Sequence, residues 1–187
     1  MAVTPRDILE FWFSDRARAL WFEKDRDFDA EIAARFGATV HEAQLGGLAE
    51  WRGSPDGALA LLLLIDQFAR NIHRGSAKAY LGDPLGRAIA AEAIQRGFDR
   101  RFPFPDRVFI YLPFEHGESM ADQDRYIALI EGCVREFGEA AAEYLDYAHR
   151  HRDIIKRFGR FPHRNEALGR ETTEDEAAFL KGPDSSF

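Results

Sequence analysis

Apolar side chains recur at helical spacing along most of the chain. The clearest stripe places them four residues apart, at Phe28, Ile32, Phe36 and Val40. This spacing predicts an amphipathic helix over 25–45 that ends at Gly46-Gly47, with Gly37 as a point where it could break. Strand signals are scarce, since the one β-like run, 108–112, fits a helix equally well. The pattern therefore predicts an all-α protein.

Capping residues mark where the helices begin. Thr4-Pro5, Ser54-Pro55 and Asp83-Pro84 each combine a helix cap with a proline, whose fixed φ suits the first helical turn. Ser119 and a T-x-x-E capping box at Thr173 predict two further starts. The predicted helices cover 5–13, 25–45, 55–71, 84–97, 120–137, 139–158 and a short segment after 173, with an extended Phe-Pro-Phe-Pro connector at 102–105. We expect a single domain over 1–187 of about eight helices in antiparallel pairs, with 181–187 as a tail.

One helix runs from a wholly apolar stretch directly into polar residues. Residues 58–65 are all apolar, which predicts burial on every side. Asp66 and Arg70 follow at i, i+4, as do Gln67 and Asn71, so each pair can meet on the helix surface. If the helix emerges into solvent, the Asp66–Arg70 pair contributes little. If it stays covered, Asp66 must be paired and hydrogen-bonded, as part of either the framework or a ligand site.

A second polar group lies in the turn before Ser119. His116 and Glu118 flank Gly117, where the backbone can bend sharply. These two side chains could bind a metal or act in acid–base chemistry. The alternative is structural: His116 bonds a carbonyl, and Glu118 favours the positive end of the next helix.

The third polar segment is strongly basic. Residues 149–170 contain seven Lys or Arg against two acidic residues. Its turn carries Arg157, Arg160, His163 and Arg164, which could hold a phosphate or carboxylate, while His151 shares a helical face with apolar residues and should point inward. Alternatively, these arginines pair with Asp66, Glu118 and Asp122 and connect the helices.

Other chemistries have little support in the sequence. No H-x-x-x-H or H-E-x-x-H spacing appears, so we expect no metal, and no phosphate or dinucleotide loop is present, so we expect no cofactor. Cys133 lies among apolar neighbours in a predicted helix and reads as core. Most Phe and Trp residues, such as Phe11, Trp12, Trp21 and Phe22, are also expected in the core.

Composition excludes some partners and locations. The 187 residues carry a formal net charge of −7, which disfavours binding to nucleic acid or to an anionic membrane. The longest apolar run, at 58–65, is far shorter than the roughly 20 residues that span a membrane. A single cysteine and no visible secretory signal favour a cytoplasmic protein.

These segments resemble a bacterial family known as domain of unknown function nine hundred and twenty-four. The matching stretches are WFEKDRDFD (21–29), LLLLIDQFARNIHRG (61–75), LPFEHGESMADQD (112–124), HRDIIKRFGRFPHRN (151–165) and LGRETTEDEAAFL (168–180). The resemblance implies a tetratricopeptide-like helical fold and a set of candidate positions. The resemblance does not imply an enzymatic activity.

The candidate site positions follow from these motifs. They are Asp66, Gln67, Arg70, Asn71, His116, Glu118, His151, Arg160, His163, Arg164 and Asn165. The chain departs from the family at Ala69, where proline is more usual, at His73, where an aromatic residue is, and at Gly117, where serine is. The missing hydroxyl at 117 weakens any chemical role for that position.

We expect a non-enzymatic binding protein with a polar cleft where the 66–71, 112–119 and 157–165 segments meet. In it, Arg160 and Arg164 would grip a small anionic ligand or an acidic peptide, and Asp66 would hold one arginine in place. His116, His151 and Asn165 would shape hydrogen bonds. One alternative is a metal-assisted or acid–base hydrolase that uses Glu118, His116 and His163. The other is a structural scaffold that works through protein contacts.

Overall fold

The computed structural model describes residues 2–183 and residue 185, and within that part of the chain the secondary structure is helical without strands. The α-helices are α1 (Pro5–Trp12), α2 (Asp15–Arg18), α3 (Arg26–Gln44), α4 (Pro55–Leu62), α5 (Ala69–Ile72), α6 (Asp83–Gln95), α7 (Val108–Glu115), α8 (Met120–Phe137), α9 (Ala142–Phe158) and α10 (Glu174–Phe179). Short 3₁₀ turns lie at Ala49–Gly53, Ala77–Tyr80, Asp99–Arg101, Gly138–Ala141 and Pro162–Arg164. The all-α prediction is confirmed.

Most helix ends lie where the sequence predicts them. Thr4 and Thr173 each form a capping box, and Ser54 and Ser119 accept hydrogen bonds from the first turns of α4 and α8. Gly159 ends α9 in the left-handed conformation, with φ of 70°. These ends are predictable because a cap involves only residues that are close in sequence.

Several details differ from the predictions. α3 continues through Gly37 without a break, and α9 begins at Ala142 because residues 138–141 form a 3₁₀ turn. Residues 104–107 form a turn closed by a bond from Arg107 N to Pro103 O, so the connector is not fully extended. The sequence reading also missed α2, a single turn capped by Ser14.

The predicted helix over 55–71 contains an irregularity. Leu63–Phe68 is π-helical and joins α4 to α5 in one continuous helical run. Every residue from 58 to 69 is buried, which confirms the predicted burial on all sides. A π turn widens the helix and shifts the side chains that follow it, so it sets the direction of Asp66 and Gln67.

Backbone contacts divide the chain into two compact units. Unit 1 comprises residues up to 74 together with 78–113, and unit 2 comprises 75–77 and the residues from 114 onward. In unit 1, α4 packs against α1 and α6, and aromatic rings fill the core around Trp12 and Phe68, whose centroids are 5.3 Å apart. In unit 2, α8 and α9 pack together, with Tyr126, Ile130 and Cys133 buried on α8. A single domain and tetratricopeptide-like stacking stay predictions.

One predicted core residue is on the surface. Phe22 is 66% exposed, although Phe11 and Trp12 are buried as expected. Phe22 follows α2 and stacks on Phe109 with a centroid distance of 6.5 Å. That contact covers only one face of its ring.

Candidate functional site

In unit 1, the polar residues after the apolar helix form a buried ion-pair network. Asp66 is 3% exposed, and its Oδ1 lies 2.7 Å from Arg70 NH1. Arg70 also donates to both carboxylate oxygens of Asp83, each at 3.1 Å. Gln67 Nε2 donates to Asp66 Oδ2. The helix therefore stays covered at Asp66, and the carboxylate is paired and hydrogen-bonded, as burial requires.

The charge of Arg70 is stabilised by its two carboxylate neighbours. Burial by itself lowers the pKa of the guanidinium, but Asp66 and Asp83 outweigh burial and raise the pKa above its ordinary value. Arg70 also lies over the ring of Tyr80, 5.6 Å from its centroid. These contacts link α5 to the start of α6, which is a structural task.

Asn71 takes part in a separate contact. Its Nδ2 donates to Asp29 Oδ1 at 2.7 Å, and the same carboxylate accepts two bonds from Arg74. Gln67 and Asn71 thus bond to different partners, although their spacing allows them to meet. Asn71 joins the end of α5 to α3.

In unit 2, side chains cap the carbonyl end of α7. Gln123 Nε2 donates to the carbonyls of Glu115 and Gly117, at 2.7 and 2.8 Å. Arg164 NH1 donates to the intervening carbonyl of His116 at 3.0 Å. The last carbonyls of a helix have no partner within it, so these two side chains fix the shape of the 115–117 turn.

Glu118 joins this turn to the segment after α9. Its carboxylate accepts a bond from Phe161 N at 2.8 Å and two bonds from Arg170, at 2.7 and 3.0 Å. Arg170 also donates to Phe161 O at 3.1 Å. Burial by itself raises the pKa of the Glu118 carboxyl, but Arg170, the Phe161 N–H and the charge of Arg164 lower it below its ordinary value. Glu118 is therefore ionised at neutral pH.

Nitrogen-bearing side chains surround the buried ring of Phe161. The His151 and His163 rings each lie 5.6 Å from it between centroids, and the Arg164 guanidinium lies 4.6 Å above it. His151 is 4% exposed, as its helical face predicts, and its Nδ1 lies 3.0 Å from Tyr147 O. We call His116, His151, His163 and Arg164 the Phe161 cluster.

His151 is neutral at physiological pH. Burial, which is the largest cause, acts together with the charges of His116, Arg164 and His163 to lower its pKa to about 3, against the opposing bond to Tyr147 O. A neutral imidazole whose Nδ1–H donates to a carbonyl presents Nε2 as an acceptor.

Arg160 is bound to a carboxylate as well. It donates to both oxygens of Glu176, at 2.6 and 2.9 Å, and to Glu171 O at 2.8 Å. Glu176 also accepts from Asn165 Nδ2 and from Thr173 N, at 3.2 and 2.8 Å. The bond from Arg160 is the largest influence on Glu176, and together with the Thr173 N–H it lowers the pKa of this carboxyl to about 2.

The structure brings the candidate residues together in two groups. Unit 1 holds Asp66, Gln67, Arg70 and Asn71, and unit 2 holds His116, Glu118, His151, Arg160, His163, Arg164 and Asn165. Within unit 2, the 115–119 turn and the 159–165 segment meet directly through Arg164 and Glu118. The convergence of all three segments on one cleft stays a prediction.

Sequence reasoning missed the partners of these residues. Asp83, Gln123, Arg170 and Glu176 each bond a candidate residue or the turn that carries one. The sequence identifies Asp83 and Glu176 only as helix-start residues, since caps are visible in sequence and tertiary partners are not. The alternative prediction paired Glu118 with an arginine of the 157–164 turn, but its carboxylate binds Arg170, later in the same basic segment.

Gly117 has a steric role. A Cβ at this position would lie 2.6 Å from Asp122 Oδ2 and 2.7 Å from Asp122 Cβ. Asp122 is itself fixed by Ser119, which accepts from its backbone N and donates to its carboxylate. A serine at this position would therefore require a shift of this turn or of Asp122.

Ala69 begins α5 directly after the π turn, and its backbone N–H donates to Asp66 O. A proline at this position would remove this bond.

Other reactive groups are limited in the described part of the chain. Cys133 is buried at 2% exposure, as predicted. Residues 2–183 and 185 contain no group of three or more His, Cys, Asp or Glu placed to hold a metal ion. None of the helices in this range is both long and apolar enough to cross a membrane.

Comparison with known proteins places the chain in a family. The family model described as "Bacterial protein of unknown function (DUF924)" matches residues 8–184. The chain belongs to this family. It is also similar to the solved structure of a protein of unknown function from Agrobacterium tumefaciens, with 44% identity and a TM-score of 0.86. That match covers 95% of this chain and 97% of the other. Comparison with curated proteins gives no match.

Proposed function

We propose that this member of the family binds a small anionic ligand, or the acidic end of a peptide, without catalysing a reaction on it. The ligand lies beside the Phe161 cluster of unit 2. The observation that carries the proposal is the gathering of three side chains around His151. His163 and Arg164 follow it closely in sequence, whereas His116 lies 48 residues before Arg164.

The charges of this cluster support an anion. His116, Arg164 and His163 each lower the pKa of His151, as nearby positive charge does, while the Glu115 carboxylate is the negative group beside it, with Oε1 3.6 Å from Nδ1. Imidazole and guanidinium N–H groups are the donors that proteins use for carboxylates and phosphates. His116 and His163 are the half-buried members of the cluster, so they are the groups that a ligand from solvent reaches.

The proposal changes the roles expected for two residues. Arg160 holds Glu176 with two hydrogen bonds, so it orients the start of α10 and does not grip the ligand. Glu118 has both oxygens engaged and a lowered pKa, which makes it a poor proton donor or acceptor near neutral pH. This weighs against the hydrolase alternative.

Thermal-shift titration tests the proposal. Phosphate, sulfate and citrate are added to the full chain at constant ionic strength, and Tm is measured. A ligand that binds only the native state raises Tm with concentration, so we expect a saturable rise for at least one anion. We expect His163→Gln to remove this rise, and Arg135→Ala, which changes an arginine 72% exposed on α8, to keep it. No saturable rise in the unmodified protein would rule the proposal out.

A structural scaffold is the second candidate. Arg70, Arg160 and Arg170 each bind a carboxylate with two hydrogen bonds, which is how arginines fix helices in place. On this alternative no anion raises Tm, whereas Arg170→Ala still lowers Tm because the Glu118 carboxylate loses its partner. The same titration therefore distinguishes the two candidates.

A further inference from the structure

A groove on the surface of unit 2 lies between α9 and α10. It has a volume of about 340 Å³, and it is lined by Arg150, Asp153, Ile154, Arg157, Phe158 and Phe179, with Pro183 at one end. None of these residues belongs to the Phe161 cluster. The groove is therefore a second site, separate from the anion site proposed above, although its floor packs on the core that contains Phe161.

The sequence builds an apolar floor here. Ile154 and Phe158 are four residues apart on one face of α9, and Phe179 from α10 packs on Phe158 with a centroid distance of 5.1 Å. Phe158 and Phe179 are only partly buried against the core formed by Ile154, Ile155 and Phe161. Their outer faces can accept an apolar side chain.

An ion pair and a capping box fix the positions of α9 and α10 beside the groove. Arg160, just after α9, binds Glu176 of α10 through two hydrogen bonds, and Thr173 fixes the first turn of α10 through the capping box. A groove whose walls are already ordered binds a partner with less loss of conformational entropy.

Arg157 gives the groove its specificity. Its guanidinium lies 4.5 Å over the ring of Phe158 and 5.9 Å from that of Phe179, and within the described residues it forms no ion pair. Arg150, by contrast, is paired with Asp146 at 2.8 Å. A guanidinium that lies over an aromatic ring can still direct its N–H groups to a bidentate carboxylate.

We infer that the α9–α10 groove docks a peptide segment of a partner protein that carries an Asp or Glu beside a large apolar residue. The apolar side chain enters the groove over Phe158 and Phe179. The carboxylate forms two hydrogen bonds with Arg157. Asp153, on the same rim, disfavours peptides in which further acidic residues lie on its side.

Fluorescence anisotropy with synthetic peptides tests this inference on the full chain. The probe is a labelled eight-residue peptide with a central Phe followed by Glu, in an otherwise Ser- and Ala-based sequence. Two matched peptides replace the Glu by Lys or the Phe by Ala. We expect the Phe-Glu peptide to bind and each replacement to weaken binding on the order of tenfold.

Protein variants locate the site. Arg157→Glu changes an exposed side chain, so the protein should stay folded, and we expect it to weaken binding of the Phe-Glu peptide on the order of tenfold and to favour the Phe-Lys peptide. His163→Gln, which tests the anion site, should leave peptide binding unchanged. The anion response should likewise survive Arg157→Glu, so failure of one proposal leaves the other testable.

Three results would overturn the inference. The first is absence of binding by the Phe-Glu peptide at millimolar concentration. The second is equal binding of the Phe-Glu and Phe-Lys peptides. The third is a concentration-dependent dimer that Arg157→Glu dissociates, measured by sedimentation, because a second copy of the chain would then occupy the groove.

Discussion

The carboxylate of Asp66 is buried in the folded protein and forms an ion pair with Arg70. Removing one charge of such a pair leaves the other without compensation in a poorly solvated place. We expect Asp66→Asn, which keeps the shape of the side chain, to lower the free energy of unfolding by about 2 to 4 kcal/mol. Urea denaturation monitored by circular dichroism measures it.

A surface ion pair provides the control for Asp66. Arg6 and Glu10 form a pair at 2.6 Å whose side chains are 84% and 62% exposed. Glu10→Gln should change the free energy of unfolding by less than about 1 kcal/mol, since water screens exposed charges. If the Asp66 and Glu10 variants are equally stable, the Asp66–Arg70 pair is not a stabilising element.

Substitution of glycine by alanine should have opposite effects on stability at two positions in this chain. Gly37 lies inside α3 with no atom within 4 Å of an added Cβ, so Gly37→Ala should stabilise the protein by about 0.5 to 1 kcal/mol through helix propensity. Gly117→Ala places the same methyl group 2.6 Å from Asp122 Oδ2. We expect it to destabilise the protein by about 1 to 3 kcal/mol. Thermal or urea unfolding of both variants checks the signs.

A comparison of Gly117→Ala with Gly117→Ser also tests the steric role of Gly117. If Gly117→Ala and Gly117→Ser are both stabilising, the turn adjusts freely and the steric role assigned to Gly117 is wrong. If Gly117→Ser is tolerated and Gly117→Ala is not, the hydroxyl finds a partner in the turn.

The short helix α10 depends on one carboxylate. Glu176 closes the capping box with Thr173 and accepts two bonds from Arg160, and its pKa is lowered to about 2. Because this value lies below that of an unfolded glutamate, about 4.3, the stabilisation is complete above that pH. It is lost as the pH falls toward 2. We expect Glu176→Gln to lower Tm at pH 7 and the gap from the unmodified protein to shrink between about pH 5 and pH 2.

Glu174 provides a matched control in the same helical turn. It is exposed, and no hydrogen bond from its side chain to a described residue is present. Glu174→Gln should lower Tm only slightly at pH 7. A Glu176→Gln gap that stays constant down to pH 2 would contradict the assignment of this carboxylate.

The helical elements differ in how far sequence could predict them. The starts of α1, α4, α8 and α10 follow from a capping side chain and its next three residues. The π turn at Leu63–Phe68 does not, because its local sequence is that of an ordinary apolar helix. In the structure α3 and α6 pack against this turn.

In the folded protein, carboxylates pair with most of the arginines in the basic segment 149–170. Within unit 2, Arg150 pairs with Asp146, Arg152 with Asp124, Arg160 with Glu176 and Arg170 with Glu118. The excess of positive charge over 149–170 is therefore neutralised largely by carboxylates from outside that stretch. A net charge of −7 then dominates the long-range field.

This charge balance predicts that the protein does not bind nucleic acid. We expect no retardation of a labelled 30-base-pair duplex by micromolar protein at about 0.15 M salt, because few cations remain to displace phosphate counterions. An electrophoretic mobility shift measures this. Retardation that weakens steeply with added salt would contradict this prediction, because it would indicate that basic side chains contact the phosphates of the duplex.

The sequence alone was sufficient for the helical class, for most helix ends and for the inward face that carries His151. These properties follow from spacing and from caps, which involve residues at most a few positions apart. It also showed that Asp66 and Arg70 can pair, since i, i+4 side chains are neighbours on any helix.

Only the tertiary structure decided which acid meets which base. Glu118 and Arg170 lie 52 residues apart and Arg164 and His116 lie 48 apart, so no local rule connects them. Ion pairs and hydrogen bonds depend on distances of a few ångströms, and the packing of the helices fixes those distances. We expected Arg160 to contact a ligand, but the same packing places it against Glu176, where it fixes the start of α10.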